Sequence, residues 1–364
     1  MKRISLIILI ISVIFSSCKN GDWEFPDYEY SAAYFAYQTP VRIITLGTDY
    51  VNDNTLDNQK QCQIMATAQG FYEVKNDIVI NFVVDESLCD ILDFPIPMPS
   101  NYYSLSDNKM TIPKGSKTIG GVTVTLTDDF FADPLALTNH YVIPIRMTTA
   151  TGVDRILTGT PAEGVDNPNR LNPDHWDVLP KDYTLYAVKY LNQWDATYLR
   201  RGTDNITTDG TMESVERKSA YSPVQDEVIK LNSISLNSLE FAVTNIREGG
   251  TSLDMSFKLD FDAQNCTFAN GAWKDGLLVD EYTKDKIRVF DITVSGSGQY
   301  IKDSNDRENR WADRDRDVLN LNYAVSFKVE PESGPIKEVS VVTSDILVLR
   351  DRGVALETIE PVLK

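Results

Sequence analysis

The stretch LNLNYAVSFKV, residues 319–329, decides the fold class, because apolar and polar side chains alternate along its whole length. Its odd-numbered residues are apolar or aromatic, and its even-numbered residues are asparagine, alanine, serine and lysine. Strict alternation is typical of a strand that buries one face and exposes the other. The stretch LDMSFKLDF, residues 253–261, has the same period. Since no segment forms a convincing amphipathic helix longer than two turns, the sequence predicts an all-β protein.

The alternation changes phase within one of the predicted strands. In IRVFDITV, residues 287–294, the apolar positions move from Ile287 and Val289 to Phe290 and Ile292. One extra residue in a strand redirects the side chains that follow it. We therefore predict a β-bulge in this stretch.

The chain divides at residues 153–182, where prolines are spaced too closely for a helix or a central strand to persist. Before this linker, residues 30–152 contain about seven short strand patterns, which predict an immunoglobulin-like β-sandwich. After it, residues 183–364 contain longer strands, which predict an antiparallel β-barrel, with a second β-sandwich as the alternative. We favour the barrel because closure removes exposed strand edges. The linker prolines are Pro161, Pro168, Pro173 and Pro180.

The N-terminus predicts export and a lipid anchor. Residues 1–17 read as a signal peptide, in which a basic start precedes a short apolar run and small residues. The closing FSSC resembles the lipobox of bacterial lipoproteins, which implies that Cys18 is lipidated and that residues 18–29 form the anchor and tether. The following KNGD partly matches the signal that sends such lipoproteins to the cell surface in Gram-negative gut anaerobes. We expect a lipid-anchored protein on the outer membrane, with a cleaved secreted protein as the alternative.

Charge and residue counts narrow the range of partners. The formal net charge is −18. This acidic character argues against nucleic acid as a partner, because its binding depends on Lys and Arg that neutralise phosphates. Repulsion from anionic lipid headgroups leaves the N-terminal lipid as the expected membrane contact.

Metal and cofactor sites are not expected. Only two histidines are present, His140 and His175, and no closely spaced cysteine pair exists, which argues against a zinc site or a histidine-based triad. Besides Cys18, the cysteines are Cys62, Cys89 and Cys266. A disulfide between Cys62 and Cys89 and isolated buried thiols both remain open.

Two long stretches resemble known families. Residues 102–152 resemble the domain of unknown function 1735 through a tyrosine pair, a strand ending in Lys-Gly, a V-x-V-x-L strand and a closing Y-V-I-P-I strand. Residues 175–202, HWDVLPKDYTLYAVKYLNQWDATYLRRG, begin a region that is similar to the domain of unknown function 5627. The two resemblances together span nearly all of the chain behind Cys18.

The first resemblance implies an immunoglobulin-like domain that stands ahead of diverse partners in surface lipoproteins, some of them family-18 endoglycosidases that cut N-glycans. Such proteins usually belong to polysaccharide-utilisation systems, in which surface lipoproteins capture glycans for neighbouring hydrolases and an outer-membrane transporter. The resemblance therefore implies a glycan as ligand, with host N-glycans among the candidates. The N-terminal domain would then act as a spacer.

An enzyme is not expected. The segment closest to the D-x-x-D-x-D-x-E strand of family-18 hydrolases is DRDRD, residues 313–317, which lacks the terminal glutamate. The same segment lacks the glycine and the glutamate that a calcium loop requires. A glycoside hydrolase is therefore the weakest hypothesis, behind a non-catalytic glycan-binding protein and an adhesin or assembly protein that binds a protein partner.

Residue types that bind sugars are concentrated in YAVKYLNQWDATYLRRG, residues 186–202. Sugar rings stack on aromatic faces, while their hydroxyl groups bind polar side chains. Trp194, Tyr198, Arg200 and Arg201 supply both kinds of group. The alternative for Trp194 and Tyr198 is structural, as a plug that closes one end of the barrel.

The same stretch predicts a strand, a turn at NQWD and a second strand from about Thr197. Alternation places Tyr186, Val188 and Tyr190 on one face of the first strand. On the second strand it sends the two adjacent arginines to opposite faces. We expect one arginine to pair with a carboxylate and the other to reach solvent or ligand.

Two further tryptophans are the main predicted ligand contacts. Trp273 lies in NGAWKDG beside two turn signals, and Trp311 lies among charges in NRWADR. In an exposed turn, an indole has few side chains to pack against and contributes little to the fold. We therefore expect Trp273 and Trp311 to contact the glycan.

Overall fold

A computed structural model describes most of the chain behind the predicted signal peptide. Two short α-helices are present in the described residues, α1 (Thr55–Asn58) and α2 (Asp128–Ala132). None of the helices in this part of the chain has the length and apolar character that crossing a membrane requires. The described residues are 28–115, 117–219, 223–248, 251–269, 276–279, 286–310 and 312–364.

Nearly all regular structure is β, as the alternation predicts. Five single-turn 3-10 helices accompany the strands, at Glu86–Cys89, Pro134–Leu137, Pro173–His175, Pro223–Gln225 and Arg307–Asn309. The strands of the first half are β1 (Ala32–Tyr34), β2 (Pro40–Thr45), β3 (Gln61–Gln69), β4 (Ile78–Val84), β5 (Leu92–Phe94), β6 (Ile96–Pro97), β7 (Tyr103–Leu105), β8 (Lys109–Ile112), β9 (Ile119–Leu126), β10 (Tyr141–Thr151), β11 (Arg155–Ile156), β12 (Thr160–Pro161), β13 (Trp176–Val178) and β14 (Tyr183–Leu191). Those of the second half are β15 (Ala196–Thr208), β16 (Thr211–Arg217), β17 (Glu227–Ser235), β18 (Ser238–Glu248), β19 (Thr251–Asp262), β20 (Asn265–Ala269), β21 (Gly276–Val279), β22 (Lys286–Ser304), β23 (Arg316–Glu330), β24 (Lys337–Asp351), β25 (Glu357–Thr358) and β26 (Val362–Leu363).

The N-terminal sheet is sandwich-like, which confirms the predicted β-sandwich. One layer has the order β11-β1-β3-β9, and the other has the order β8-β4-β10-β14-β2-β25. The layers join through a single residue pair, Thr111 with Gly121. Alternate side chains from both layers form one buried core, which includes Ile64 of β3, Ile80 of β4 and Val124 of β9.

Strand β14 belongs to this sheet, which corrects the prediction that residues 183–364 form the second domain. It lies between β10, to which it is antiparallel, and β2, to which it is parallel. Tyr186, Val188 and Tyr190 face the sandwich core, as predicted for one face. Leu185 and Ala187 on the other face join a second apolar cluster. The strand is largely apolar on both faces, and both are covered, one by the sandwich core and the other by the second apolar cluster.

The C-terminal sheet is a closed barrel of eight strands, which confirms the predicted barrel. The order β15-β17-β18-β19-β20-β22-β23-β24 is completed by pairing of β24 with β15, from Thr197–Asp351 to Thr208–Val339. Leu321, Tyr323 and Val325 of the alternating stretch point into its core. The predicted β-bulge is also present, because the register of β22 against β23 shifts between Phe290 and Thr293.

The chain leaves the barrel and returns to the N-terminal sheet. Strand β25 pairs with β2 of that sheet, and β26 forms a separate two-stranded sheet with β5. Ile359 between them is buried in the same apolar cluster as Leu185. The last residues of the chain therefore hold the two folded units together.

The three cysteines described by the structure are free and buried. Cys62 lies in the sandwich core, whereas Cys89 lies in the second apolar cluster and Cys266 in the barrel core. Of the two possibilities that the sequence left open, the structure therefore shows isolated buried thiols.

Candidate functional site

Trp194 and Tyr198 plug the barrel end that meets the N-terminal sheet. The side chain of Asn192 turns the chain here, because its Oδ1 accepts hydrogen bonds from the backbone N–H groups of Trp194 (3.1 Å) and Asp195 (3.0 Å). The indole of Trp194 is 2% exposed and stacks on Phe261, with ring centroids 3.9 Å apart. The Tyr198 hydroxyl donates to the carbonyl of Trp194 at 2.7 Å, and burial raises the pKa of that phenol. Trp194 and Tyr198 are therefore buried in the way that the structural alternative expects, in which they close one end of the barrel.

Arg200 lies inside the barrel and is 3% exposed. Its guanidinium donates to Asp345 Oδ2 at 2.8 Å, to Glu227 Oε2 at 3.1 Å and to the Tyr323 hydroxyl at 3.1 Å. Each partner comes from a different strand, β24, β17 and β23 respectively. One side chain thus joins three neighbouring parts of the barrel wall to β15.

Arg217 of β16 continues this arrangement. It forms a two-bond ion pair with Asp204, at 2.7 and 2.9 Å, and a further bond of 2.6 Å to Asp345 Oδ1. Thr343 donates to the same Asp204 at 2.7 Å. We call Arg200, Arg217, Asp204, Asp345 and Glu227 the barrel network.

The barrel network stabilises the fold, because its charged groups pair with one another across neighbouring strands. Burial opposes ionisation of Asp204, but hydrogen bonds from Arg217 and Thr343 outweigh it and hold the pKa of that carboxyl below its usual range. A glycosidase needs one carboxylic acid with a raised pKa. Asp204 has the opposite shift, and its oxygens are already occupied.

Arg201 points to the outside of the barrel wall, opposite to Arg200, as the alternation predicts. Its Nε lies 2.9 Å from Asp226 Oδ2, and its Nη1 donates to the Glu308 carbonyl at 2.8 Å. Arg201 is only 5% exposed. The expectation that one of the two arginines reaches solvent or ligand is therefore wrong, because both are buried against carboxylates.

Cys18, Trp273 and Trp311 lie outside the described residues. Across the residues that the structure does describe, no group of three or more His, Cys, Asp or Glu side chains is arranged to hold a metal ion.

An open aromatic cleft of about 540 Å³ lies on the N-terminal domain, where the sequence analysis placed no site. Tyr28, Tyr30 and Tyr72 line it and are 69%, 38% and 61% exposed. We call it the tyrosine cleft. Its rings come from the segment before β1 and from the turn after β3. The sequence signal that could have revealed them is the juxtaposition of tyrosine with acid in DYEY (residues 27–30) and FYEV (residues 71–74).

Backbone contacts hold the two sides of the tyrosine cleft together. Gly70 has a φ of +96°, and a Cβ at this position would collide with the Tyr30 carbonyl and with Ser31. Only glycine combines this φ with such a close approach. On the other side, the backbone N–H and the hydroxyl of Ser31 donate to Asp154 Oδ2 at 2.7 and 2.8 Å.

Polar groups surround the rings of the tyrosine cleft. Glu29, Glu73, Lys75 and Asn76 line it together with the tyrosines. The guanidinium of Arg155 lies over the ring of Tyr30, 3.3 Å from its centroid. Aromatic faces beside acceptors and donors are the combination that a sugar ring requires.

Comparisons with known proteins agree with this two-part architecture. The family model for the domain of unknown function 5627 matches residues 193–353, and a second model, described as an N-terminal domain, matches residues 28–154. A solved structure from Bacteroides ovatus, of unknown function, is 36% identical, with 93% of this chain and 100% of that chain covered and a TM-score of 0.77. The chain belongs to the family of that Bacteroides ovatus protein. None of the curated proteins matches it.

Two more distant solved structures have low sequence identity to this chain. A multidomain Bacteroides ovatus protein that includes DUF1735 is 13% identical, with 90% of this chain and 97% of that chain covered and a TM-score of 0.40. An auxiliary nutrient binding protein from Bacteroides thetaiotaomicron is 13% identical, with 84% and 90% covered and a TM-score of 0.33. These TM-scores are too low to support an inference about fold or function.

Proposed function

We propose that this protein is a non-catalytic glycan-binding protein and that the tyrosine cleft is a binding site. The observation that carries the proposal is the exposure of three tyrosine rings on one concave surface. Large exposed rings are unfavourable in water, and here polar groups that could orient a ligand lie beside them. The volume of about 540 Å³ falls within the range of roughly 300–1,000 Å³ that small-molecule sites occupy.

The site suits a sugar better than a wholly apolar ligand. Tyr28 and Tyr72 each expose more than half of their surface, so a ring face is available for stacking. Glu29 and Glu73 can accept hydrogen bonds from hydroxyl groups, and Asn76 can donate or accept. A pyranose ring has an apolar face and a rim of hydroxyl groups, which match these two kinds of contact.

The cellular setting of the proposal comes from the N-terminal sequence. Cys18 would carry the lipid, and the short tether would hold the protein on the outer membrane at the cell surface. The proposed partners are a glycan, with host N-glycans among those to test, and the hydrolases and outer-membrane transporter of a polysaccharide-utilisation system. Labelling with a radioactive fatty acid, compared between wild type and Cys18→Ala, would test the anchor.

A second contact region is proposed from the sequence of the C-terminal half. Trp273 and Trp311, which lie outside the described residues, remain proposed ligand contacts. Separate Trp273→Ala and Trp311→Ala variants should weaken glycan binding without lowering the melting temperature. If only these variants lose binding, the N-terminal domain is a spacer, as the sequence analysis expects.

A glycan array with the full chain tests the proposal directly. The double variant Tyr28→Ala/Tyr72→Ala should weaken binding by about five-fold or more, since two stacking contacts of roughly 0.5–1.5 kcal/mol each are lost. Tyr37→Ala is the matched control, because Tyr37 is 62% exposed and does not line the cleft. Binding to no glycan, with a folded protein, would contradict the proposal and favour the adhesin or assembly alternative.

A further inference from the structure

The tyrosine cleft carries an excess of negative charge. Its lining includes three carboxylates, from Glu29, Glu73 and Asp154, and one ammonium group, from Lys75. Within the described part of the chain, neither Glu29 nor Glu73 has an ion-pair partner. The lining charge is therefore −2 at neutral pH.

Asp154 keeps its charge. The backbone N–H and the hydroxyl of Ser31 both donate to its carboxylate, and these bonds hold the pKa of Asp154 below its usual range. Hydrogen bonds donated to a carboxylate favour its ionised form, so Asp154 is charged at neutral pH. It therefore contributes a negative charge beside the rings at neutral pH.

The nearby guanidinium of Arg155 offsets part of this charge. The guanidinium carbon of Arg155 lies 3.3 Å from the centroid of the Tyr30 ring, and Arg155 is not among the residues that line the cleft. Counting it, the local charge is still −1, on a chain whose net charge is −18. A ligand anion would thus approach an acidic cleft on an acidic protein.

Resting on the proposed function, we infer that the tyrosine cleft selects uncharged glycans and rejects glycans that carry carboxylate or sulfate groups. Ionised carboxylates accept hydrogen bonds and donate none, so sugar hydroxyl groups satisfy Glu29 and Glu73. A uronate or sulfate group placed beside them meets like charge a few ångströms away, where repulsion at a protein surface is substantial. The loss in affinity is expected to be about ten-fold or more.

The test compares one oligosaccharide in two charge states. The oligosaccharide that the full chain binds most tightly on the array is used unchanged and after oxidation of its C6 hydroxyl groups to carboxylates. Isothermal titration should give at least a ten-fold higher Kd for the oxidised form. In the variant Glu29→Gln/Glu73→Gln, which keeps the side-chain shape, the ratio of the two Kd values should fall towards one. Recovery in this variant separates charge repulsion from the loss of a hydroxyl group.

The outcomes distinguish this inference from the proposed function. Equal or tighter binding of the oxidised form, or an acidic glycan as the best ligand on the array, would overturn the charge selection and leave glycan binding intact. A loss that Glu29→Gln/Glu73→Gln does not relieve would also overturn it. Absence of binding to any glycan would overturn the proposed function itself.

Discussion

The barrel interior and the tyrosine cleft use the same kinds of side chain in opposite ways. In the barrel, the indole of Trp194 is covered by Phe261, and Arg200 has three hydrogen-bond partners. In the cleft, Tyr28 and Tyr72 are more than half exposed. Aromatic rings beside charged groups therefore do not by themselves indicate a ligand site. In a structural cluster the protein itself supplies the packing and hydrogen-bond partners of these side chains. In a ligand site some of those partners are missing.

The largest expected effect is the loss of the barrel plug. Trp194→Ala should lower the free energy of unfolding by about 3–5 kcal/mol, because it removes a buried indole and leaves a cavity beside Phe261. Chemical denaturation of the full chain measures this. The comparison would fail if Trp194→Ala left stability unchanged and abolished glycan binding, since the indole would then belong to a site.

A smaller loss is expected at Tyr323, whose hydroxyl contacts Arg200 and Asp345 of the barrel network. Tyr323→Phe removes the hydroxyl that accepts from Arg200 and lies 3.1 Å from Asp345. Hydrogen bonds to charged groups contribute about 1.5–3 kcal/mol, and stability should fall by that amount. Tyr37→Phe, at an exposed position, provides the control and should have no effect. Equal stability of the two variants would show that the network is not a brace.

The third prediction concerns how the free energy of unfolding depends on pH through Asp204. The pKa of Asp204 is held below its unfolded value, so its contribution to stability is complete above that value and is lost as pH falls through the folded pKa. The unfolded value for aspartate is about 3.9. Asp204→Asn should therefore be less stable than wild type at pH 7, and the difference should narrow below about pH 4. Denaturation curves at both pH values test this, and a constant difference would contradict it.

The smallest expected effect on stability belongs to the cleft. Tyr72→Ala should change the free energy of unfolding by less than about 0.5 kcal/mol, because the ring is mostly exposed and braces little. The same variant should weaken glycan binding. A large loss of stability would show that the two regions differ less than their exposure suggests.

The strands and the barrel were predictable because the alternation of apolar and polar side chains is visible within each single segment of the sequence. Residues 319–329 predict one face for the barrel core, and the structure places Leu321, Tyr323 and Val325 there. The change of phase near Phe290 likewise predicted the bulge. In these cases each residue and its neighbours in the sequence contain the whole signal.

The tyrosine cleft was not predictable in this way. Its lining comes from residues 28–31, 70–76 and 152–154, which meet only after the sheet has formed. Nothing in the local pattern of any one segment shows that the others lie beside it. The strand Tyr183–Leu191 was predicted to belong to the wrong domain for a related reason. Its apolar faces could have been covered by either domain, and the local pattern does not show which.

The sequence alone determined that this chain builds β-strands, which of their faces are apolar, where one strand bulges, and that its long C-terminal strands could close into a barrel. Only the tertiary structure decided which sheet Tyr183–Leu191 joins, that the C-terminal tail returns to that sheet, and that Trp194, Arg200 and Arg201 are buried while three tyrosines are exposed. The physical reason is that periodicity belongs to a single segment. Burial and hydrogen-bond satisfaction depend on groups that long-range strand pairing brings into contact.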